Sequence, residues 1–220
     1  MKRLLAILTL VFGAPTLAAD EVTIKLGTLA PSGSTWHNLL KDMGEKWSTA
    51  SGGKVKLKIY PGGALGNEGD MVRKMAVGQL HAASITTIGL HDISPEPQAL
   101  SVPMMIESDE EFDFVLPKVQ AKLEAFVEKK GYVILNWGQV GYVKFFCNKP
   151  YQTPAEMHDA KGFAWDGDPA SVEAWKAAGF RPVVISSTDV VPSLQTGMIT
   201  CVTNPALYVF TARLFEKAKY

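Results

Sequence analysis

The sequence predicts an α/β protein of two lobes, each a mostly parallel sheet flanked by helices. Three observations carry this. Runs of period-two apolar residues rich in β-branched side chains alternate with runs at helical spacing, the pattern of strand–helix–strand units. These units fall into two successive groups that meet near Gly141. About 200 residues remain once a leader is set aside, enough for one large core or two small ones.

In the first group, residues 20–140, VTIKLGTL (22–29) alternates as a strand. Ser34 caps a helix in which Trp36, Leu39, Leu40, Met43 and Trp47 recur at helical spacing. SGG ends that helix and KVKLKIY (54–60) is the next strand. The loop PGGALG follows. Asn67, with Asp70 three residues on, then opens a helix to Gly78. AASIT (82–86) is a short buried strand. Three prolines make Ile93–Pro103 a loop. Ser108 with Glu111 forms a capping box ahead of an apolar stripe through Phe112, Val115, Val119, Leu123 and Phe126. Pro117 interrupts that stripe and predicts a kink or a split into two helices.

YVILNWG (132–138) and YVKFFCNKP (142–150) read as two further strands, with a hinge near Gly138–Gly141. In the second group, residues 141–204, AKGFAW is a strand, Asp168–Ala178 a helix and RPVVIS a strand. Thr188–Gln195 is a helix ended by Gly197, and CVTNP is a strand. Residues 205–220, ALYVFTARLFEKAKY without the leading proline, read as the start of a helix that no cap closes.

The first residues set the compartment. MKRLLAILTLVFGAPTLAAD has a basic start, an apolar run from Leu4 to Phe12 and small residues around Ala18, a cleavable secretory signal peptide over residues 1–19. The run is too short to span a bilayer. No cysteine follows the cleavage site to carry a lipid, so the mature chain reads as an exported periplasmic protein that is not membrane-anchored.

Without Lys2 and Arg3, 20 basic residues face 22 acidic ones. That balance gives no footprint for nucleic acid or an anionic membrane. Cys147 and Cys201 form no CxxC pair. The ordinary reading is two buried thiols, although an exported protein can oxidise such a pair.

Enzyme signatures are missing. His37, His81, His91 and His158 show neither HxH nor HExxH spacing, and no GxSxG elbow occurs. PGGALGNEG follows a strand and opens a helix, yet it lacks the first glycine of GxGxxG. Glu68 also stands where a pyrophosphate would lie. The expectation is a binding protein without catalysis or cofactor. Of five tryptophans, Trp47 and Trp175 fit helical core positions. Trp36 lies in a first helical turn after a strand, and Trp137 and Trp165 lie at strand ends. Those three fit a cleft wall as well as they fit a core.

The corner KGFAWDGDPASVEAW carries two acids where many α/β proteins bind anions on a helix N-terminus. Asp168 before Pro169 is a favoured N-cap ahead of a favoured first helical residue. Asp166 has no such structural use. An unpaired ligand carboxylate within ~4 Å of it would be repelled by several kcal/mol.

KLGTLAPSGSTW, YPGGALGNEGDMVRKMAVGQL, KGFAWDGDP and DVVPSLQTGM followed by NP together resemble the solute-receptor subunits of TRAP transporters, the DctP-type periplasmic binding proteins. The resemblance covers essentially the whole mature chain. It implies a two-lobed, type II-like periplasmic-binding-protein fold that closes on a small solute, usually an organic acid, and delivers it to integral-membrane permease subunits. It also implies a longer chain, so the fold is expected to be incomplete at the C-terminus. The family's main ligand arginine aligns with Asp166, and its second falls on Val143 with Lys144 beside it. The residues the resemblance carries over are Glu68 on the first lobe and Asn204 on the second, with the loop before Trp36 lining the first.

Trp36, Glu68, Trp137, Lys144, Trp165, Asp166 and Asn204 are therefore the candidate ligand-binding residues. Three ligand classes stay open at this point. One is an organic acid, favoured by the resemblance, which a metal ion on Asp166 or Glu68 could bridge. The others are a polar or cationic solute and an apolar solute between the tryptophans. A sensor module for a membrane receptor is the alternative to a transport receptor.

Overall fold

A computed structural model describes residues 21–220, so the leader expected at 1–19 lies outside the described residues. Lobe I is built on β1 (Val22–Thr28), which pairs in parallel with β2 (Val55–Tyr60) and β3 (Ala82–Ser84) in the order β2-β1-β3. Leu26, Gly27 and Thr28 at the carboxyl end of β1 are buried, and Leu26 shares the core with Met71, Val72 and Leu80. Side-chain caps start the helices where the sequence places them. Ser34 accepts from His37 N–H at the start of α1 (Thr35–Ala50). Asn67 and Asp70 close a reciprocal capping box on α2 (Glu68–Ala76). Along α1, Trp36, Leu40, Met43 and Trp47 are half-buried while Leu39 is exposed.

A short helix absent from the sequence reading, α3 (Thr87–His91), follows β3 and is capped by Thr86. The Pro-rich loop contains a 3₁₀ turn over Glu96–Ser101. α4 (Asp109–Glu128) passes through Pro117 as one helix instead of splitting. The lost hydrogen bond is outweighed by a helix of 20 residues that is anchored at Leu123 and Val127.

The strand expected at 132–138 does not form: these residues find no ladder partner among the described residues. The alternation is present, with Val133 and Leu135 each 70 % exposed and Tyr132 and Ile134 half-buried. Alternation makes a strand only beside a neighbouring edge.

Lobe II has β4 (Val143–Cys147) antiparallel to β7 (Cys201–Pro205), and β5 (Phe163–Trp165) parallel to β6 (Val183–Ile185). A parallel bridge between Gly162 and Cys201 joins the two pairs, so the lobe carries parallel pairings with one antiparallel edge pair, β4–β7. α5 (Pro169–Ala177) starts at Asp168, whose carboxylate accepts from Ser171 N–H, the N-cap read from the sequence. α6 (Val190–Thr196) ends at Gly197 in the left-handed region, φ 75°. The core gathers Phe163, Val190, Leu194, Ile199, Val202, Val209 and Leu214.

α7 (Ala206–Thr211) is shorter than the final apolar run suggests. Arg213 adopts φ 56° and breaks it ahead of a 3₁₀ turn. Tyr220 then exchanges both backbone hydrogen bonds with Cys147.

The two cysteines are not free thiols. The β4–β7 register sets Cys147 opposite Cys201 with Cα atoms 4.1 Å apart, and a disulfide joins them across 54 residues. Spacing along the chain carries no sign of this, because only strand pairing brings the two together. Among the described residues no helix is long and apolar enough to cross a membrane.

Candidate functional site

Strand register assembles the site. Trp165, the last residue of β5, pairs with Ile185, the last of β6. The Gly162–Cys201 bridge brings β5 alongside β7, with Trp165 and Asn204 each three residues beyond it, and Asn204 pairs with Lys144 of β4. Laterally paired residues share a face of the sheet, and strands lie about 4.8 Å apart. Ile185 with Trp165 and Asn204 with Lys144 are thus two lateral pairs that end the two sheets on the same side of the bridge. Two residues deeper on the same face stand Phe163, Val202 and Phe146, all in or against the lobe II core. The pairs form the rim of that core, at the carboxyl ends of β5, β6 and β7. Ligands of α/β sheets lie at such ends.

Its polar atoms are poised. Trp165 Nε1, Asn204 Oδ1 and Ser187 Oγ are buried without a hydrogen-bond partner among the described residues. Ser187 begins the turn two residues after Ile185. An unpaired buried donor or acceptor costs about 1–3 kcal/mol, so each of these atoms lacks the partner that would offset its burial. Lys144 is exposed and forms no ion pair among the described residues.

Lobe I closes over this rim at two points. A Cβ added at Gly63, which has φ 74°, would lie 2.6 Å from Thr188 Cγ2. The lobe I loop therefore touches lobe II only because residue 63 has no side chain. A Cβ at Gly167 would lie 3.2 Å from Trp165 Nε1 and 3.6 Å from Ile88 Cγ2 of α3. The indole accordingly sits at the seam between the lobes.

Glu68, carried over as a ligand contact, is 2 % exposed and already engaged. It accepts from Thr86 N–H (2.8 Å), Thr86 Oγ1–H (2.7 Å) and Gly89 N–H (2.9 Å), tying α2 to the turn that presents Ile88. Burial pushes its carboxyl above the ordinary carboxylate value, against the pull of those three donors. Trp137 is occupied as well: its Nε1–H donates to Glu124 Oε1 of α4 at 2.8 Å. Trp36 is half-buried in the first turn of α1, on lobe I.

Asp166 is exposed, and its N–H donates to Ile185 O, continuing the β5–β6 ladder. As the residue after Trp165 it belongs to the opposite face. Of the seven candidates, then, Lys144, Trp165 and Asn204 come together at this rim, and Glu68 supports the facing turn. Among the described residues no group of three or more His, Cys, Asp or Glu side chains clusters as a metal site would.

Sequence reading missed Ser187, Thr188 and Gly63. SSTD directly after the strand RPVVI was the available signal, hydroxyl groups at the carboxyl end of a strand in a strand–helix unit.

A family model for bacterial extracellular solute-binding proteins, family 7 (DctP), matches residues 26–220. The chain belongs to the DctP family. This DctP-family chain is 28 % identical over 210 residues to a solute-binding protein of Roseobacter denitrificans, covering 92 % of this chain and 62 % of the relative. It is 25 % identical over 211 residues to the 2,3-diketo-L-gulonate-binding periplasmic protein of Escherichia coli, covering 95 % and 63 %. The chain thus spans less than two thirds of the length of these curated relatives.

Two solved TRAP periplasmic solute-binding proteins share its fold. The Sulfitobacter protein with bound β-D-galacturonate superposes with a TM-score of 0.83 at 20 % identity, over 90 % of this chain and 67 % of that one. The Roseobacter denitrificans protein with bound L-galactonate gives 0.77 at 25 %, over 90 % and 66 %. The two-lobed architecture expected from the sequence is the one these neighbours have.

Proposed function

We propose that this chain is the periplasmic solute receptor of a TRAP-type transporter, which captures an organic acid between its lobes and delivers it to integral-membrane permease subunits. The observation that carries this reading is the set of Trp165, Asn204 and Lys144 at the carboxyl rim of lobe II, its buried polar atoms unpaired among the described residues and lobe I closed against it. Lys144 supplies the positive charge for a carboxylate where most relatives are expected to use arginine. An ammonium binds as a point charge and a guanidinium as a planar fork, so this receptor grips the acid less directionally.

Reversible capture follows from the geometry. Contacts from both lobes exist together only in the closed form, so solute shifts an opening equilibrium toward closure. The names of the relatives, which include binding proteins for L-galactonate and 2,3-diketo-L-gulonate, support an organic acid as cargo. No bound cofactor is needed for this work.

The test is native mass spectrometry of the exported protein with and without chelator, followed by calorimetric titration with organic acids. A co-purified or titratable acid with micromolar or tighter affinity is expected. Failure of every acid to bind, with uptake of none lost on deleting the gene, would overturn the reading.

A further inference from the structure

Lobe I carries a basic face that solute capture does not use. Lys54, just before β2, and Lys56 and Lys58 within it are exposed at alternate positions. The residue between the last two, Leu57, packs toward α1, where a Cβ added at Gly44 would lie 2.9 Å from the Leu57 Cβ. The lysines therefore project from the other face of the sheet. Lys25 of β1 is exposed and pairs laterally with Lys58, which puts it on that same face. Only one of the four has a partner. Lys56 meets Glu21 at 2.7 Å in an exposed pair, whereas Lys25, Lys54 and Lys58 enter no ion pair among the described residues.

β2 is also an edge strand, since the sheet order is β2-β1-β3. Val22 N–H donates to Lys54 O, which sets the parallel ladder. Lys54, Lys56 and Lys58 thus turn their backbone groups toward β1, and Val55, Leu57 and Ile59 turn theirs outward. Val55 N–H donates to Ser51 Oγ at 2.9 Å. The outward N–H and C=O groups of Leu57 and Ile59 have no partner among the described residues.

From this coincidence of open edge and alternate lysines, we infer that β2 is a docking strip for an extended segment of a partner protein with an acidic side chain at every second residue. Backbone pairing with Leu57 and Ile59 supplies the attachment. Acids about 6.7 Å apart meet the lysines in step. Lysines on an edge also keep copies of one protein from pairing, and that use accounts for those on β2. It does not account for Lys25 on the central strand. Like charges side by side across a ladder repel, so the Lys25–Lys58 pair is destabilising until an acid joins it. Glu21 already lends the face one carboxylate, and an exposed pair of that kind is worth at most about 1 kcal/mol, so a partner can displace it. The strip lies away from the cleft. Gly63, which meets lobe II, follows the carboxyl end of β2, and the lysines start at its amino end. The inference does not depend on the receptor reading.

To test it, the mature chain is titrated with a dye-labelled peptide that alternates glutamate with threonine. A peptide of the same composition with its glutamates in one block, and phosphatidylglycerol vesicles, serve as the comparisons. The alternating peptide should bind saturably at low ionic strength, at least tenfold tighter than the block peptide, and more weakly as salt rises. Lys56→Glu with Lys58→Glu should lower that affinity about tenfold or more. Both positions are exposed, so the double variant should keep the wild-type melting temperature. On ¹⁵N-labelled wild type, the Leu57 and Ile59 amides should exchange more slowly with solvent once the alternating peptide is added.

If the block peptide binds as tightly, or if those two amides gain no protection, strand addition is overturned. If the vesicles bind and the peptide does not, the face is a lipid contact and the inference falls. It falls equally if neither binds.

Discussion

Lys144 stands directly opposite Asn204 across β4 and β7, so an ammonium and a side-chain amide share one face at the rim of the second sheet. Lys144 is exposed and makes no ion pair among the described residues, which leaves its charge available to a ligand. Replacing it by glutamine should lower affinity for an organic acid by about tenfold or more. Stability should not change, because exposed charges contribute little to folding. Calorimetric titration beside thermal melting separates the two effects.

Asp166 offers a contrast on the neighbouring position. It is exposed and on the other face of the strand from Trp165. Asparagine at 166 should leave affinity within about threefold, since a screened surface charge acts weakly. A tenfold change would return Asp166 to the binding surface.

Glu68 holds two lobe I elements together from inside. Glutamine at this position can satisfy one carboxylate oxygen but sets an amide N–H against a donor at the other, which should cost about 1–3 kcal/mol of stability. The pH dependence has a definite sign. Because burial raises the Glu68 carboxyl above its ordinary 4.5, the folded chain holds this proton more tightly than the unfolded chain does. Its contribution is full below the unfolded value and declines as pH rises through the folded one. Urea unfolding of wild type and Glu68→Gln across pH should therefore give a stability gap that is widest in acid and narrows upward.

Gly63 should act on closure. Alanine there would strain a left-handed backbone and meet the Thr188 methyl. Affinity should fall several-fold, and Thr188→Ser in the same background should recover much of it, because serine lacks that methyl. A double-mutant cycle on affinity reads the coupling directly. Coupling indistinguishable from zero would show that the two loops do not meet in the bound form.

The Cys147–Cys201 disulfide closes a loop of about 54 residues, for which chain entropy gives about 4 kcal/mol. Unfolding with and without reductant should differ by a sizeable part of that amount, and Cys147→Ala with Cys201→Ala should match the reduced protein.

The residues most legible in the sequence were those whose neighbours decide their conformation. Ser34, Asn67, Asp168 and Gly197 cap helices where local chemistry said they would. Matters of pairing were less legible. YVILNWG has strand periodicity and no neighbouring edge among the described residues, and Cys147 meets Cys201 only through register. The same limit applied at the site. Trp165 and Lys144 could be nominated singly, but the rim that unites them with Asn204 exists only once β5, β7 and β4 lie side by side. Glu68 was nominated through the family resemblance, and its partners Thr86 and Gly89, 18 and 21 residues away, are not legible beside it in the sequence.

Trp165 also gives the protein an optical gauge. A Cβ placed on Gly167 would touch both Trp165 Nε1 and Ile88 of the opposite lobe, so the indole lies close to the seam and a movement that parts the two sides should change its surroundings. The emission spectrum should shift to the red as the jaws part and back to the blue as they shut, with Trp165→Phe as the blank. If the proposed receptor reading holds, the rates of solute binding and release can then be followed by stopped-flow mixing without attaching any dye.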